Sequence, residues 1–313
     1  MVVFRRLAIV STVTTLVLVG IGGLVRATKS GLGCGTDWPH CNGRLAPALE
    51  TRAEIIEFSH RAVAGIAAVL ITLLALAAIR YYRRTPKILW AGILAAFLVF
   101  GQALLGALVV KLELEAESVV LHLTIAMSLV AVLIYILVAT EVSQDRLRIR
   151  PDRSLSQKGV WVALSVLALL LVGSYVGSYP DRPPEWPLIG GRLIPDLSNE
   201  FLAAHFTHRA LAAAVGLGLL LFAVGVIRER NDNPLAGRLA LLALGGFVVE
   251  IVVGAANVWT DLNAVIVTLH LLSGALIWGS LVALAAVTSP ALARVTEREP
   301  VGRTVADVAE GRS

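Results

Sequence analysis

Two short stretches of the chain carry the same ionisable pattern. Residues Glu57-Phe58-Ser59-His60-Arg61-Ala62-Val63 return 148 positions later as His205-Phe206-Thr207-His208-Arg209-Ala210-Leu211. The same shift carries Leu121-His122-Leu123 onto Leu269-His270-Leu271, Gly106 onto Gly254, and Gln102 onto Glu250. His60 and His122 are therefore 62 residues apart, and so are His208 and His270. An ionisable side chain within an apolar span is costly without a partner, and it is a functional candidate by default. Two imidazoles facing each other across a helix bundle are one means of holding haem iron. Zinc would want further Cys, His or carboxylate ligands to complete a tetrahedron. Only Glu57 in the first stretch and His205 in the second are at hand. Paired haem sites are the favoured reading of these residues; another metal site and hydrogen-bonded structural histidines are the alternatives.

Composition sets the elements that must position them. The chain has 313 residues, 57% of them apolar and only 16% charged, with a mean hydropathy of +0.79. An ordinary soluble domain is about 25% charged, so a soluble enzyme and a disordered chain are both excluded. The apolar residues fall in blocks long enough to cross a bilayer with roughly 20 residues. Eight spans are predicted, near 7–25, 58–79, 88–110, 119–140, 159–178, 201–227, 237–258 and 265–288. The fold class is an all-α polytopic membrane protein. Four spans per repeat is an even number, so both halves enter the membrane in one orientation, as parallel repeats. Two four-helix bundles follow, over residues 1–150 and 151–295, each with a site between facing helices. The first and fifth spans match poorly, which leaves three matching helices per half. Gly101, Gly106, Gly245, Gly246 and Gly254 are expected to allow close helix contact.

The net charge of +5 and pI near 9.6 are a topology signal, not a nucleic-acid footprint. Arg80, Arg83, Arg84 and Lys87 fill one connection, Arg146, Arg148, Arg150, Arg153 and Lys158 another, and Arg228, Arg230 and Arg238 a third. With Arg5, Arg6 and the tail residues Arg294, Arg298, Arg303 and Arg312, that side holds 18 of the 27 basic residues. The positive-inside rule puts both termini in the cytoplasm, in a multi-pass protein of the cell membrane. Residues 7–25 exceed the usual apolar length of a cleaved signal and are read as the first helix. The tail, 296–313, is polar and expected to be disordered. The loop over 26–57 then lies outside, where thiols oxidise. Cys34 and Cys41, with six residues between them, are expected to close a small disulfide loop; two free thiols are the alternative.

The run Thr28-Lys29-Ser30-Gly31-Leu32-Gly33-Cys34-Gly35-Thr36-Asp37-Trp38-Pro39-His40-Cys41-Asn42-Gly43, followed by Glu57 to Arg61, resembles the haem A synthase family. The likeness extends over nearly the whole chain, through eight spans, two halves, four histidines and a cysteine pair. It implies an oxidoreductase that converts the C8 methyl of haem O to a formyl group through a hydroxymethyl intermediate, for cytochrome oxidases of the haem-copper class. It implies that His60 and His122 flank the substrate haem O and that His208 and His270 ligate a haem b cofactor. Cys34 and Cys41 would be the outer pair, and Glu57 the catalytic carboxylate beside the substrate. Haem O synthase and oxidase assembly factors are implied partners, together with membrane lipid and an electron acceptor that the sequence does not identify. The loop at 180–200 has no cysteine, and His205 stands where the first half has Glu57, one turn before His208. The competing reading is a bis-histidine di-haem cytochrome b that transfers electrons and leaves both haems unmodified. A carboxylate beside one site only argues against it. A transporter would place its site at the midplane, whereas these histidines lie toward the outer face.

Arg61 and Arg209 follow the candidate ligands. They could pair with haem propionates, for which a guanidinium is suited, or snorkel to headgroups. Glu250 lies inside the seventh span, where a carboxylate must be neutral or partnered; a proton or quinol role and a hydrogen bond within the bundle are its two readings. Trp38, Trp186 and Trp259 are expected as interfacial anchors, and Glu113, Glu115 and Glu117 as a solvated loop.

Overall fold

The computed structural model describes residues 2–45, 47–179, 184–229 and 233–293. Every regular element among them is a helix: α1 (Val2–Ala27), α2 (Arg52–Tyr81), α3 (Pro86–Lys111), α4 (Ala116–Ser143), α5 (Arg153–Val176), α6 (Glu200–Arg228), α7 (Pro234–Trp259), α8 (Ala264–Val287) and the short α9 (Pro290–Ala293). Helices α1 to α8 are each long and apolar enough to cross a membrane. The protein is a multi-pass membrane protein. The tail expected to be disordered lies outside the described residues, as does Arg230.

Most helices begin several residues before the apolar stretch that announced them. Polar caps set those starts. Thr51 and Glu54 form a reciprocal capping box on α2, and the side chains of Asp152, Asn199, Asn233 and Asn263 each accept a backbone N–H at the start of α5, α6, α7 and α8. Such caps satisfy donors that the first turn leaves unpaired. Pro86 and Pro234 open α3 and α7, where a missing N–H costs nothing.

Helices α1 to α4 pack each on the next, and α4 closes back on α1. Helices α5 to α8 do the same, with α8 closing on α5. The two sets meet along α1, α4, α5 and α8. Gly20 and Gly23 bring α1 against Leu271, Leu272 and the backbone of Thr268 on α8, and Gly279 admits Ile134 of α4. Of the five glycines expected at helix contacts, Gly106, Gly246 and Gly254 face neighbouring side chains, whereas Gly101 and Gly245 face open space. Glycine contacts between the two sets thus include α1, whose glycines the repeat did not single out.

The tight core lies away from the histidines. Phe4, Ile71, Leu74, Ile88, Leu133 and Ile136 are fully buried in the first bundle, and Leu219, Ala275 and Leu281 are fully buried in the cluster reaching into the second. In contrast, no residue is buried over 58–66 of α2, 119–126 of α4, 200–214 of α6 or 264–273 of α8. These are the segments that carry His60, His122, His208 and His270.

The connections at the histidine end repeat one another in conformation. Asn42 and Gly43 both have positive φ, in a turn bridged by Cys41 and Arg44; Gly190 and Gly191 do likewise between Ile189 and Arg192. Left-handed backbone at both central positions is the type I′ requirement that favours Asn-Gly and Gly-Gly. Trp38-Pro39 and Trp186-Pro187 are both cis. Between α3 and α4, Glu113 and Leu114 have positive φ, as do Asp261 and Leu262 between α7 and α8. Glu113, Glu115 and Glu117 are exposed. Trp38, Trp186 and Trp259 are 37%, 39% and 62% exposed, and the last two stack edge to face at 5.4 Å.

Candidate functional site

Each of the four candidate histidines points its ring edge at a glycine on the preceding helix. A Cβ placed on Gly22 of α1 would stand 3.3 Å from Cε1 of His60, and one on Gly106 of α3 would stand 3.3 Å from Cε1 of His122. In the second bundle the distances are 2.9 Å from Gly173 to His208 and 3.1 Å from Gly254 to His270. Real Cβ contacts are rarely this short, so each glycine makes room for one imidazole. The Nδ1 atom of all four rings is buried without an aligned hydrogen bond, although none of the four residues is fully buried. That leaves Nε2 as the ring nitrogen an iron could take. His60 and His122 lie on α2 and α4 of the first bundle, and His208 and His270 on α6 and α8 of the second. Among the described residues no group of three or more His, Cys, Asp or Glu converges as a metal cage. One imidazole pair per bundle, loosely packed helical segments and glycine recesses fit a flat macrocycle whose iron these histidines would hold.

Glu57 is 3% exposed. Its Oε2 accepts the backbone N–H of Cys34 at 2.7 Å, and its Oε1 pairs with the Arg61 guanidinium. Arg61 also donates to the carbonyl of His40 at 2.9 Å. One carboxylate and one arginine, a turn apart on α2, thereby fasten the loop to the helix that carries His60. Cys34 and Cys41 form the expected disulfide, with Cα atoms 4.2 Å apart and both residues buried. Gly33 lies directly against the first turn of α2, where a Cβ would fall 2.4 Å from the carbonyl carbon of Ala53. Asn42 adds a hydrogen bond to Glu54.

Arg209 does for the second bundle what Arg61 does for the first. Its guanidinium donates to the carbonyls of Pro184 (2.9 Å), Glu185 (2.8 Å), Leu188 (3.3 Å) and Pro187 (3.4 Å). Both arginines, offered above as propionate partners, are placed on protein acceptors. With His205 where Glu57 would stand, Arg209 has no carboxylate one turn back and takes more carbonyls. His205 packs its ring on Phe201 at 4.7 Å, an edge-to-face aromatic contact.

The hydrogen bond within the bundle that the sequence offered for Glu250 is present, with partners the sequence did not name, and two further features were missed. Glu250 has a partner: its Oε1 is 3.0 Å from Nδ1 of His270, off the line of a hydrogen bond, and Ser273 donates to its Oε2. A carboxylate beside one site only is therefore not what the structure has. Gly22 and Gly173 were also missed, because they stand 151 positions apart and not 148. The duplicated loop was missed as well, although Trp38-Pro39 and Gly43-Arg44 against Trp186-Pro187 and Gly191-Arg192 spell it out.

Fold and site together define a class: a multi-pass helical membrane protein with one histidine pair in each of two bundles. The sequence matches the COX15-CtaA family, described as cytochrome oxidase assembly protein, over residues 5–282, and the chain belongs to that family. It is 30% identical over 278 residues to the haem A synthase of Geobacillus kaustophilus, covering 85% of this chain and 86% of that protein. It is 28% identical over 263 residues to the haem A synthase of Shouchella clausii, covering 82% and 87%.

Proposed function

We propose that the protein carries out the haem A synthase reaction, converting haem O to haem A as an oxidoreductase. The observation that carries this reading is the arrangement of four glycine-backed histidines in two within-bundle pairs, on a chain of the cytochrome oxidase assembly family. The reaction oxidises the C8 methyl of haem O to a formyl group through a hydroxymethyl stage. The first half, residues 1–150, holds haem O between His60 and His122. The second half, residues 151–295, holds haem b between His208 and His270. When bound, haem b supplies a one-electron redox centre. The two halves are parallel repeats, and the turns, arginines and ring-facing glycines they share support that relation.

Glu57 is the carboxylate of the substrate site. A positioned carboxylate can accept a proton or stabilise a developing cation. Each of its oxygens accepts one bond, from Cys34 or from Arg61, and keeps a lone pair for a proton, so a change of charge at Glu57 is felt by both partners. Loop position and site chemistry are thus tied through one side chain. Propionate pairing by Arg61 and Arg209 draws on N–H groups that their loop bonds leave over. The protein lies in the cell membrane with both termini cytoplasmic and the histidine end outside. The basic residues of the opposite connections support this, and so does a disulfide at the histidine end, where thiols oxidise.

The test is chemical identification of the haems extracted from purified protein. Haem b together with haem O, its hydroxylated form or haem A is the expected result. Haem b alone would instead favour a di-haem cytochrome b, a reading to which the carboxylate beside His270 lends weight.

A further inference from the structure

The two bundles differ most in chemistry one layer behind the last histidine. In the second, Glu250 of α7 reaches His270 of α8, with Oε1 3.0 Å from Nδ1 and Oε2 bonded by the Ser273 hydroxyl. Gly274 packs beside it: a Cβ there would stand 3.4 Å from Oε1, an ordinary contact, and only 2.5 Å from Leu170, to which the glycine gives way. In the first, the corresponding positions are Gln102, Ile125 and Ala126. Gln102 donates its Nε2 to the His122 backbone carbonyl at 3.0 Å, and its Oε1 is buried without a hydrogen bond. The carboxylate and the two residues beside it are thus replaced together, and a charged group inside a membrane span is costly without a partner or a use.

We propose that Glu250, seated by Ser273 and Gly274, is a positioning residue for the second haem, holding the Nδ1 edge of His270 so that Nε2 faces the iron and lowering that iron's reduction potential. This rests on His208 and His270 being haem ligands. A ligating histidine commonly presents its other nitrogen to a carboxylate, which fixes the ring and raises its basicity as a ligand. A more basic ligand and a nearby negative charge both favour ferric over ferrous iron. In the first site the carboxylate, Glu57, is paired with Arg61, and the residue behind His122 is the neutral Gln102, so the two haem environments are electrically unequal despite their shared scaffold.

The experiment is a spectroelectrochemical titration of the purified, haem-containing protein and of its Glu250→Gln variant, which gives the second half the side chain found at 102. Glu250→Gln should keep its haem b and shift the ferric-to-ferrous ratio at a fixed potential on the order of tenfold toward ferrous, a midpoint about 59 mV higher for a one-electron couple. Haem b retained at the wild-type midpoint would overturn the proposal. If Glu250→Gln loses the haem, Glu250→Asp decides: haem regained near the wild-type midpoint supports positioning by charge, and loss from both variants overturns it in favour of a packing role. His270→Ala, run beside them, tests the underlying ligand assignment separately. Its haem b should be lost, and an unchanged haem b spectrum there would reject the assignment whatever Glu250 does.

Discussion

The loops over the two histidine pairs share a turn and an arginine but are fastened differently. In the first, Cys41 is locked to Cys34 and the strap runs through Glu57 into α2. In the second, Ile189 occupies the place of Cys41 and is equally buried, and Arg209 alone grips four carbonyls. Behind the last histidines the asymmetry reverses, with a carboxylate at His270 and an amide at His122. The scaffold is common, and the groups able to move protons or bias electrons are not. The proposed division into a catalytic half and an electron-handling half would make use of that difference.

The largest effect that would sharpen this contrast comes from Glu57→Gln. Loss of a positioned acid–base group costs about 10²–10⁴-fold in rate, so haem A production should fall near background while haem b stays. Alkylation and mass mapping should find the Cys34–Cys41 disulfide intact in that variant. Normal haem A output would remove Glu57 from the chemistry and leave it as a loop fastener. At the mirrored position, His205→Ala should leave haem b content and spectrum essentially unchanged.

A smaller effect is expected from the ring-facing glycines. Gly173→Ala places a methyl group 2.9 Å from His208, and Gly22→Ala places one 3.3 Å from His60. Overpacking of this kind costs about 1–3 kcal/mol, set against up to about 1 kcal/mol of helix propensity regained on replacing glycine. Haem b per protein should drop with Gly173→Ala and hold with Gly22→Ala, as read from the pyridine haemochrome. Equal haem b in both variants would break the recess argument.

The smallest effect concerns the loops themselves. Closing so short a loop contributes about 2–3 kcal/mol in the entropy model, and cutting a buried Ile to Ala costs about 2–5 kcal/mol. Ile189→Ala should therefore lower the thermal midpoint at least as much as the double change Cys34→Ser, Cys41→Ser. The cysteine variant should reduce haem A yield more, because its loop is the one tied to Glu57. The reverse ranking would mean that the disulfide is structural only.

How much of this was legible beforehand depended on the period of the signal. Eight apolar blocks and a fixed shift of 148 residues exposed the helices and both histidine pairs, because hydropathy and identity are local properties. Gly22 and Gly173 escaped because the first half has three more residues between that glycine and its Trp-Pro turn, so a constant shift passes them by. The pairing of Glu57 with Arg61 was readable from their spacing of one helical turn, yet the partners weighed for Arg61 were a propionate and lipid headgroups. Glu250 could be flagged but not explained. Its contact with His270 depends on how α7 and α8 are phased across their turn, which no local pattern records.

The central claim is that the halves hold different haems through separate histidine pairs. It is tested most directly by the reduced-minus-oxidised spectrum and extracted haems of four variants, His60→Ala, His122→Ala, His208→Ala and His270→Ala. The first two should keep the haem b spectrum and make no haem A, and the last two should lose that spectrum. Equal loss of one and the same haem from all four would contradict the two-site account.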